Sequence, residues 1–308
     1  MKCLNHDEEI LDTLKVMLRQ EEDIYGCQDY LSADYPVKTK ARKPLTPNTS
    51  LRVIEECANL VTDISFNDME DRSMDTMSPN DVRFRSDMSK TSDDVTLPTK
   101  DTIGNHLLGD WRSQMCNWAY SVVDTFQFSR MSVAIAFNYL DRFLAIECLR
   151  PVAISREDFQ LFSMTALYLA VKVHESGERL PLDTLVDMSR NYFTYEDFER
   201  AEIDMIQALQ WRLSPPVASR FLTEFWNLYP IDELDPWTFR CYDLLEVLVG
   251  DSFLLCHKQS HIALATMLFT CEMGIQATGM EEFCNYLRKV ICIDMKEVTE
   301  VYDYICSH

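Results

Sequence analysis

Residues 138–144 read Asn-Tyr-Leu-Asp-Arg-Phe-Leu, and this stretch decides how the rest of the chain is interpreted. An acid and a base, Asp141 and Arg142, stand inside an otherwise apolar helical run, and Lys172 closes a second long apolar run. Burying an unpaired charge is costly, so charged residues in such runs usually have partners within the protein. Which groups these three side chains contact is therefore the first question that the sequence raises.

The composition indicates an acidic, globular protein with reduced thiols. The 308 residues are 47% hydrophobic, and the formal net charge is -21. Because affinity for a phosphate backbone comes mainly from Lys and Arg, this charge argues against nucleic-acid binding. The 11 cysteines include no Cys-x-x-Cys pair, which predicts neither a disulfide framework nor a zinc site. We expect a protein of the nucleus and cytoplasm that needs no cofactor or metal and does not enter a membrane.

The predicted fold class is all-α. The chain has only 7 glycines, whereas sheets and nucleotide-binding loops both use glycine-rich turns. Near the amino terminus, residues 7–22 predict one amphipathic helix. Its apolar stripe consists of Ile10, Leu14, Met17 and Leu18.

Residues 1–108 are interpreted as an amino-terminal regulatory region that is ordered only in part. Its basic cluster fits either a solvated linker or a nuclear import signal, and it consists of Lys38, Lys40, Arg42 and Lys43. Residues 67–102 contain too few large apolar side chains to offset the entropy of ordering, so we expect them to be flexible. Thr46 and Ser78 each precede a proline, which makes them possible sites for a proline-directed kinase.

From residue 109 to 214, the spacing of apolar residues predicts five helices. The first has an apolar face at Trp111, Met115, Trp118 and Val122. Ser155 is the predicted N-cap of the third helix. Thr194, followed by Asp197, predicts a capping box at the start of the fifth.

Pro215 and Pro216 then mark a boundary, after which residues 215–308 predict a second unit of five helical segments. These segments cover residues 217–228, 236–256, 259–275, 280–291 and 295–305. The two units share helix number and length but no sequence motif. The predicted architecture is therefore two tandem five-helix units, preceded by an amino-terminal helix and a flexible region.

Four motifs in order resemble those of the cyclin family, in particular its cell-cycle members of the A, B and D types. They are residues 111–118, which match Met-Arg-x-x-Leu-x-Asp-Trp; residues 138–144, which match Asn-Tyr-hydrophobic-Asp-Arg-Phe-Leu; residues 167–172, which match a third-helix pattern ending in lysine; and Glu202, which matches a fifth-helix glutamate. Residues 21–31 resemble the amino-terminal signature of the diatom-specific type. The resemblance implies an N-terminal cyclin box at 109–214 and a C-terminal cyclin fold at 215–308.

The resemblance also implies a function without catalysis. A cyclin binds the catalytic subunit of a cyclin-dependent kinase, packs on its αC helix and activates it, which controls cell-cycle progression. Lys172 and Glu202 would contact the kinase backbone, although an intramolecular salt bridge is an alternative interpretation of the same two residues. Arg112 and Asp141 would form a buried ion pair between helices, and we expect Arg142 on the surface.

A groove for kinase substrates or inhibitors with short docking motifs is implied at Met115, Trp118, Arg156 and Gln160. We expect Trp118 to be an exposed aromatic and Gln160 to bind a peptide main chain. The groove's usual acidic residue is replaced by Ser121 and one of its apolar residues by Gln114, so a preference for basic motifs does not follow.

Other classes of function have less support in the sequence. His257 and His261 are spaced so that they could share a helix face as metal ligands, but no third ligand is near in sequence, and an ordinary helix start is favoured. Gly-x-Ser-x-Gly, P-loop and Gly-x-Gly-x-x-Gly motifs are absent. A kinase-independent cyclin-fold adaptor and a transcription-related cyclin stay open as alternatives.

Overall fold

The computed structural model describes residues 2–27, 30–31, 100–147, 154–177, 179–229, 236–273 and 279–308. The predicted phosphosites Thr46 and Ser78, the basic cluster Lys38, Lys40, Arg42 and Lys43, and most of the predicted flexible region lie outside these residues. In the described ranges the regular structure is helical and no strand occurs, so the predicted all-α fold class is confirmed. None of the helices in these ranges is long and apolar enough to span a bilayer.

The first two described helices are separated by 76 residues, and at most nine residues separate each later helix from the one before it. They are α1 (Lys2–Asp23), α2 (Lys100–Phe126), α3 (Met131–Glu147), α4 (Arg156–His174), α5 (Leu182–Met188), α6 (Tyr195–Ala208), α7 (Ala218–Leu228), α8 (Pro236–Val249), a 3-10 helix (Phe253–Cys256), α9 (Gln259–Met273), α10 (Met280–Val290) and α11 (Met295–Ser307).

Two helix starts have capping boxes, at Ser155, where the sequence predicted an N-cap, and at Thr194, where it predicted a capping box. The Ser155 hydroxyl accepts the Asp158 N–H at 3.0 Å, and the Asp158 carboxylate accepts the Ser155 N–H at 3.1 Å. Thr194 and Asp197 make the same reciprocal pair before α6. Each cap satisfies backbone donors that have no partner within the helix, which typically contributes about 1 kcal/mol. Both predictions are confirmed.

Two predicted boundaries are wrong. Helix α2 begins at Lys100, so residues 100–102, which were expected to be flexible, are helical. Leu108 is buried in the core, and this burial supports the extra turns. The segment 236–256 is not one helix, because α8 ends at Val249 and the chain turns at Gly250, a residue type that weakens helices.

The first hydrophobic core is built by α2 to α6. Helix α4 packs against α2, α3 and α6, and its residues Ala166, Leu167 and Ala170 are fully buried, which explains why the sequence around it is apolar on nearly all sides. The predicted apolar face of α2 is buried in this core, with Trp111, Met115, Trp118 and Val122 all inside.

The second core is built by α7 to α11, with α9 at its centre against α7, α8 and α11. Helix α1 also belongs to it. Ile10, Leu14 and Met17 are buried among the side chains of this core, and α1 packs against α7. The amino-terminal helix is therefore an integral part of the second unit, although it is far from it in sequence.

Candidate functional site

The predicted ion pair between α2 and α3 is present in the structure. The Arg112 guanidinium donates to the two Asp141 carboxylate oxygens, from Nε at 2.9 Å and from Nη2 at 2.8 Å, and both side chains are buried. Burial by itself lowers the pKa of Arg112, but the adjacent Asp141 charge more than offsets this, so that the pKa is raised. The pair is therefore charged and fixes α2 against α3.

The same pair extends beyond the first unit. Arg112 Nη1 donates to the Val249 carbonyl at 2.6 Å, at the end of α8, and the Tyr30 hydroxyl donates to Asp141 at 2.9 Å. Burial, followed by the Asp141 charge, raises the pKa of Tyr30, which therefore keeps its proton. Sequence reasoning missed Tyr30, which gave no signal beyond being a tyrosine in a non-helical stretch, 111 residues from its acceptor.

Lys172 and Glu202 lie side by side on α4 and α6. The Lys172 ammonium is 2.7 Å from Glu202 Oε1, and its nitrogen is 5.1 Å from the centre of the Tyr168 ring. The lysine side chain is 43% exposed, whereas that of Glu202 is 15% exposed. Partial burial lowers the pKa of Lys172, but its hydrogen bond to Glu202 and the Glu202 charge outweigh this effect, and the net shift of the pKa is upward. The pair is thus charged, pre-formed and open to solvent on the lysine side.

Apolar side chains that face solvent adjoin this pair in sequence. Val173, next to Lys172, is 44% exposed, and Ile203, next to Glu202, is 54% exposed. Isolated exposed apolar residues are common on protein surfaces, but here each of the two is the sequence neighbour of one member of an ordered ion pair that links two helices. The arrangement combines hydrogen-bonding groups with apolar contact area, as protein–protein interfaces do.

The expectation that Trp118 is exposed is wrong. Trp118 is only 4% exposed and Met115 is also buried, because both lie on the α2 face that packs into the first core. Arg156 and Gln160 are half-buried at the start of α4, and the Arg156 guanidinium lies 6.0 Å from the centre of the Trp111 ring. Substrate recruitment at this face stays a prediction, and any groove here has less aromatic surface than expected.

The surface position predicted for Arg142 is also wrong, since this residue is only 7% exposed. Its guanidinium donates to the Arg212 carbonyl at 3.1 Å and lies 4.8 Å from the centre of the Tyr25 ring. Burial lowers the pKa of Arg142. The residues between α6 and α7, together with Tyr25 from the amino-terminal segment, cover a side chain that we expected at the surface.

No metal site is evident within the described part of the chain. No group of three or more His, Cys, Asp or Glu side chains there could hold an ion. His261 is buried with Nδ1 2.9 Å from Glu297, and His257 has its Nδ1 3.1 Å from the Phe253 carbonyl. The two histidines therefore contact different protein groups.

The comparisons with known proteins match the part of the chain that contains these motifs. The family model described as "Cyclin, N-terminal domain" matches residues 86–214, which include α2 to α6 with both ion pairs. Among similar curated proteins, Cyclin-D3-3 of Arabidopsis thaliana is 24% identical over 199 residues, covering 64% of this chain and 54% of that protein. Cyclin-D2-2 of Oryza sativa subsp. japonica is 31% identical over 160 residues, covering 51% of this chain and 44% of that protein. Residues 86–214 are therefore similar to the N-terminal domain of cyclins.

A solved structure shows the same fold. The viral cyclin from herpesvirus saimiri aligns with a TM-score of 0.50 and 18% identity, over 63% of this chain and 84% of the viral one. The chain spans about half the length of the curated relatives named above. The resemblance seen in residues 111–118, 138–144, 167–172 and Glu202 is confirmed by the family match.

Proposed function

We propose that this chain is the regulatory subunit of a cyclin-dependent protein kinase, which it binds and activates without contributing a catalytic group. The observation that carries the proposal is the ordered Lys172–Glu202 pair, exposed on the lysine side and flanked by the exposed Val173 and Ile203. The match of residues 86–214 to the cyclin N-terminal domain supports the choice of a kinase as partner.

The mechanism follows from what an inactive kinase lacks. A protein kinase is active when its β3 lysine pairs with the αC glutamate and its activation loop is ordered. A rigid partner can favour that state only by binding it more tightly than the inactive one. Helices α4 and α6 form such a surface, since their facing side chains are packed in the first core and the ion pair is already formed.

The pair is suited to contact a kinase backbone because its side chains are already ordered, so that binding would cost little further side-chain entropy. Glu202 holds the Lys172 ammonium in place, so the lysine can donate a further hydrogen bond without a large loss of side-chain freedom. The proposed contact is therefore between these two side chains and main-chain groups beside the αC helix, with Val173 and Ile203 supplying apolar area.

The test is affinity capture of kinase from an extract of dividing cells by the tagged chain, followed by mass spectrometry and an assay on a histone-type substrate. We expect the wild type to recover an active cyclin-dependent kinase. Lys172→Ala with Glu202→Ala should reduce recovery at least about tenfold, because truncating interfacial charged groups costs about 2 kcal/mol or more. Far-UV circular dichroism should show the same helical content in both.

A matched control is the exposed pair formed by Lys258 and Glu22, whose lysine is 41% exposed. Lys258→Ala with Glu22→Ala removes the same kinds of charge away from α4 and α6, and should leave recovery unchanged. A wild-type chain that captures no kinase would overturn the proposed function. Equal recovery by the two double variants would instead show that the binding face lies elsewhere.

A further inference from the structure

The end of α1 and the residues that follow it contact both five-helix units. We call residues 21–31 the strap; the structure describes all of them except 28 and 29. At its first end, the buried Glu21 carboxylate accepts the Ser260 N–H at 3.0 Å and the Ser260 hydroxyl at 2.6 Å. These bonds cap the amino end of α9, the central helix of the second core. The strap is therefore anchored to the second unit.

The middle of the strap holds the segment that joins the two units. The Tyr25 hydroxyl accepts the Ser214 N–H at 3.3 Å, and its ring lies under the Arg142 guanidinium. Arg142 in turn donates to the Arg212 carbonyl, in the same joining segment. One aromatic side chain of the strap thus contacts both α3 and the joining segment.

The far end of the strap is buried in the first unit. Tyr30 and Leu31 are part of the first core, and the Tyr30 hydroxyl donates to Asp141. Asp141 holds Arg112, which reaches across to the Val249 carbonyl of the second unit. The buried ion pair and the strap therefore form one continuous chain of contacts from the first unit to the second.

Another contact between the units is partly exposed. Arg130 donates to Glu246 at 2.6 Å, but the two side chains are 41% and 28% exposed, and ion pairs that are open to water stabilise little. We propose that the strap is a conformational device that couples the two units, so that they open together while it is attached and independently once it is released. This proposal goes beyond kinase binding and does not depend on it.

Native-state hydrogen exchange of the full chain, read by mass spectrometry, tests the proposal. In the wild type, the slowest amides of α4 and α9 should exchange through one shared opening. Glu21→Ala with Tyr30→Phe removes the hydrogen bonds at both ends of the strap and keeps the Tyr30 ring in the core. Because each lost bond involves a buried carboxylate, we expect exchange to be about 10- to 100-fold faster and to differ between α4 and α9 by at least about tenfold.

Tyr286→Phe is the control, since this tyrosine is exposed on α10 and away from the strap; it should leave both rates unchanged. If the double variant does not fold, Tyr30→Phe alone gives the same comparison with a smaller change. The proposal would be overturned if α4 and α9 already exchanged through separate openings in the wild type. It would also be overturned if the variant accelerated both helices equally.

Discussion

Replacing Asp141 by alanine is the most informative single change in the first unit. The carboxylate accepts two hydrogen bonds from Arg112 and one from Tyr30, and all of these groups are buried. Asp141→Ala would leave a guanidinium without its counter-charge in the core, which typically costs about 3–5 kcal/mol. Because the free energy of unfolding of a native protein is about 5–15 kcal/mol, this is a large fraction of the total.

The melting temperature should fall accordingly. For chains of this order of size, about 1 kcal/mol corresponds to about 2–4 °C, which predicts a decrease of about 6–20 °C. Thermal unfolding followed by far-UV circular dichroism measures the melting temperature. Urea unfolding followed in the same way measures the free energy of unfolding, extrapolated to water. Tyr30→Phe removes one donor and leaves the ion pair, so it should cost less, about 1–3 kcal/mol.

A second variant distinguishes the destabilisation caused by losing the charge pair from that caused by losing packed volume. Arg112→Met with Asp141→Leu removes both charges and keeps apolar volume, so it should cost less than Asp141→Ala alone. Its cost will not be zero, because the Val249 carbonyl and the Tyr30 hydroxyl lose their partners. A loss below about 1 kcal/mol for Asp141→Ala, or a larger loss for the double variant, would refute this reasoning.

Two further predictions concern titration and thiol reactivity. Burial raises the pKa of Glu21 despite the hydrogen bonds from Ser260, so its stabilising contribution is complete below the unfolded-state pKa and is lost as the pH rises through the folded-state pKa. The unfolding free energy of the wild type relative to Glu21→Gln should therefore fall in urea titrations from about pH 4 to pH 8, and a relative increase would contradict the assignment. Burial also raises the pKa of Cys116 to about 12 and that of Cys241 and Cys284 to about 11, whereas Cys256, Cys292 and Cys306 are exposed. Iodoacetamide should alkylate the exposed thiols at least about tenfold faster in site-resolved mass spectrometry, because the thiolate is the reactive form; similar rates for the two groups would argue against the burial.

Local features of the fold could be predicted well from the sequence. The capping boxes at Ser155 and Thr194 depend on residues three positions apart, and the buried face of α2 depends on helical periodicity, so both are determined within a few turns of chain. The Lys172–Glu202 pair was identified through family motifs, and the structure places the two side chains in contact.

The errors concern residues whose surroundings come from distant parts of the chain. Arg142 was expected at the surface, yet it is buried. Trp118 is a different case, because its exposure was expected from the family resemblance although periodicity had placed it on the apolar face of α2. Arg142 is covered by Tyr25 and by the Arg212 carbonyl, which periodicity within α3 cannot reveal. Glu21 and Ser260 are 239 residues apart, and no local pattern connects them. Without tertiary contacts, these positions look like ordinary helix or turn residues.

The position of α1 also has a consequence for synthesis on the ribosome. Its apolar residues Ile10, Leu14 and Met17 are made well before α9 and α11, near residues 259–307, which complete the core that buries them. At about 5–20 residues per second, the partners of α1 follow it by roughly ten seconds to a minute. During that interval its apolar stripe has no native surface to cover it, so the nascent chain carries an exposed hydrophobic helix that chaperones can bind, until the second unit emerges.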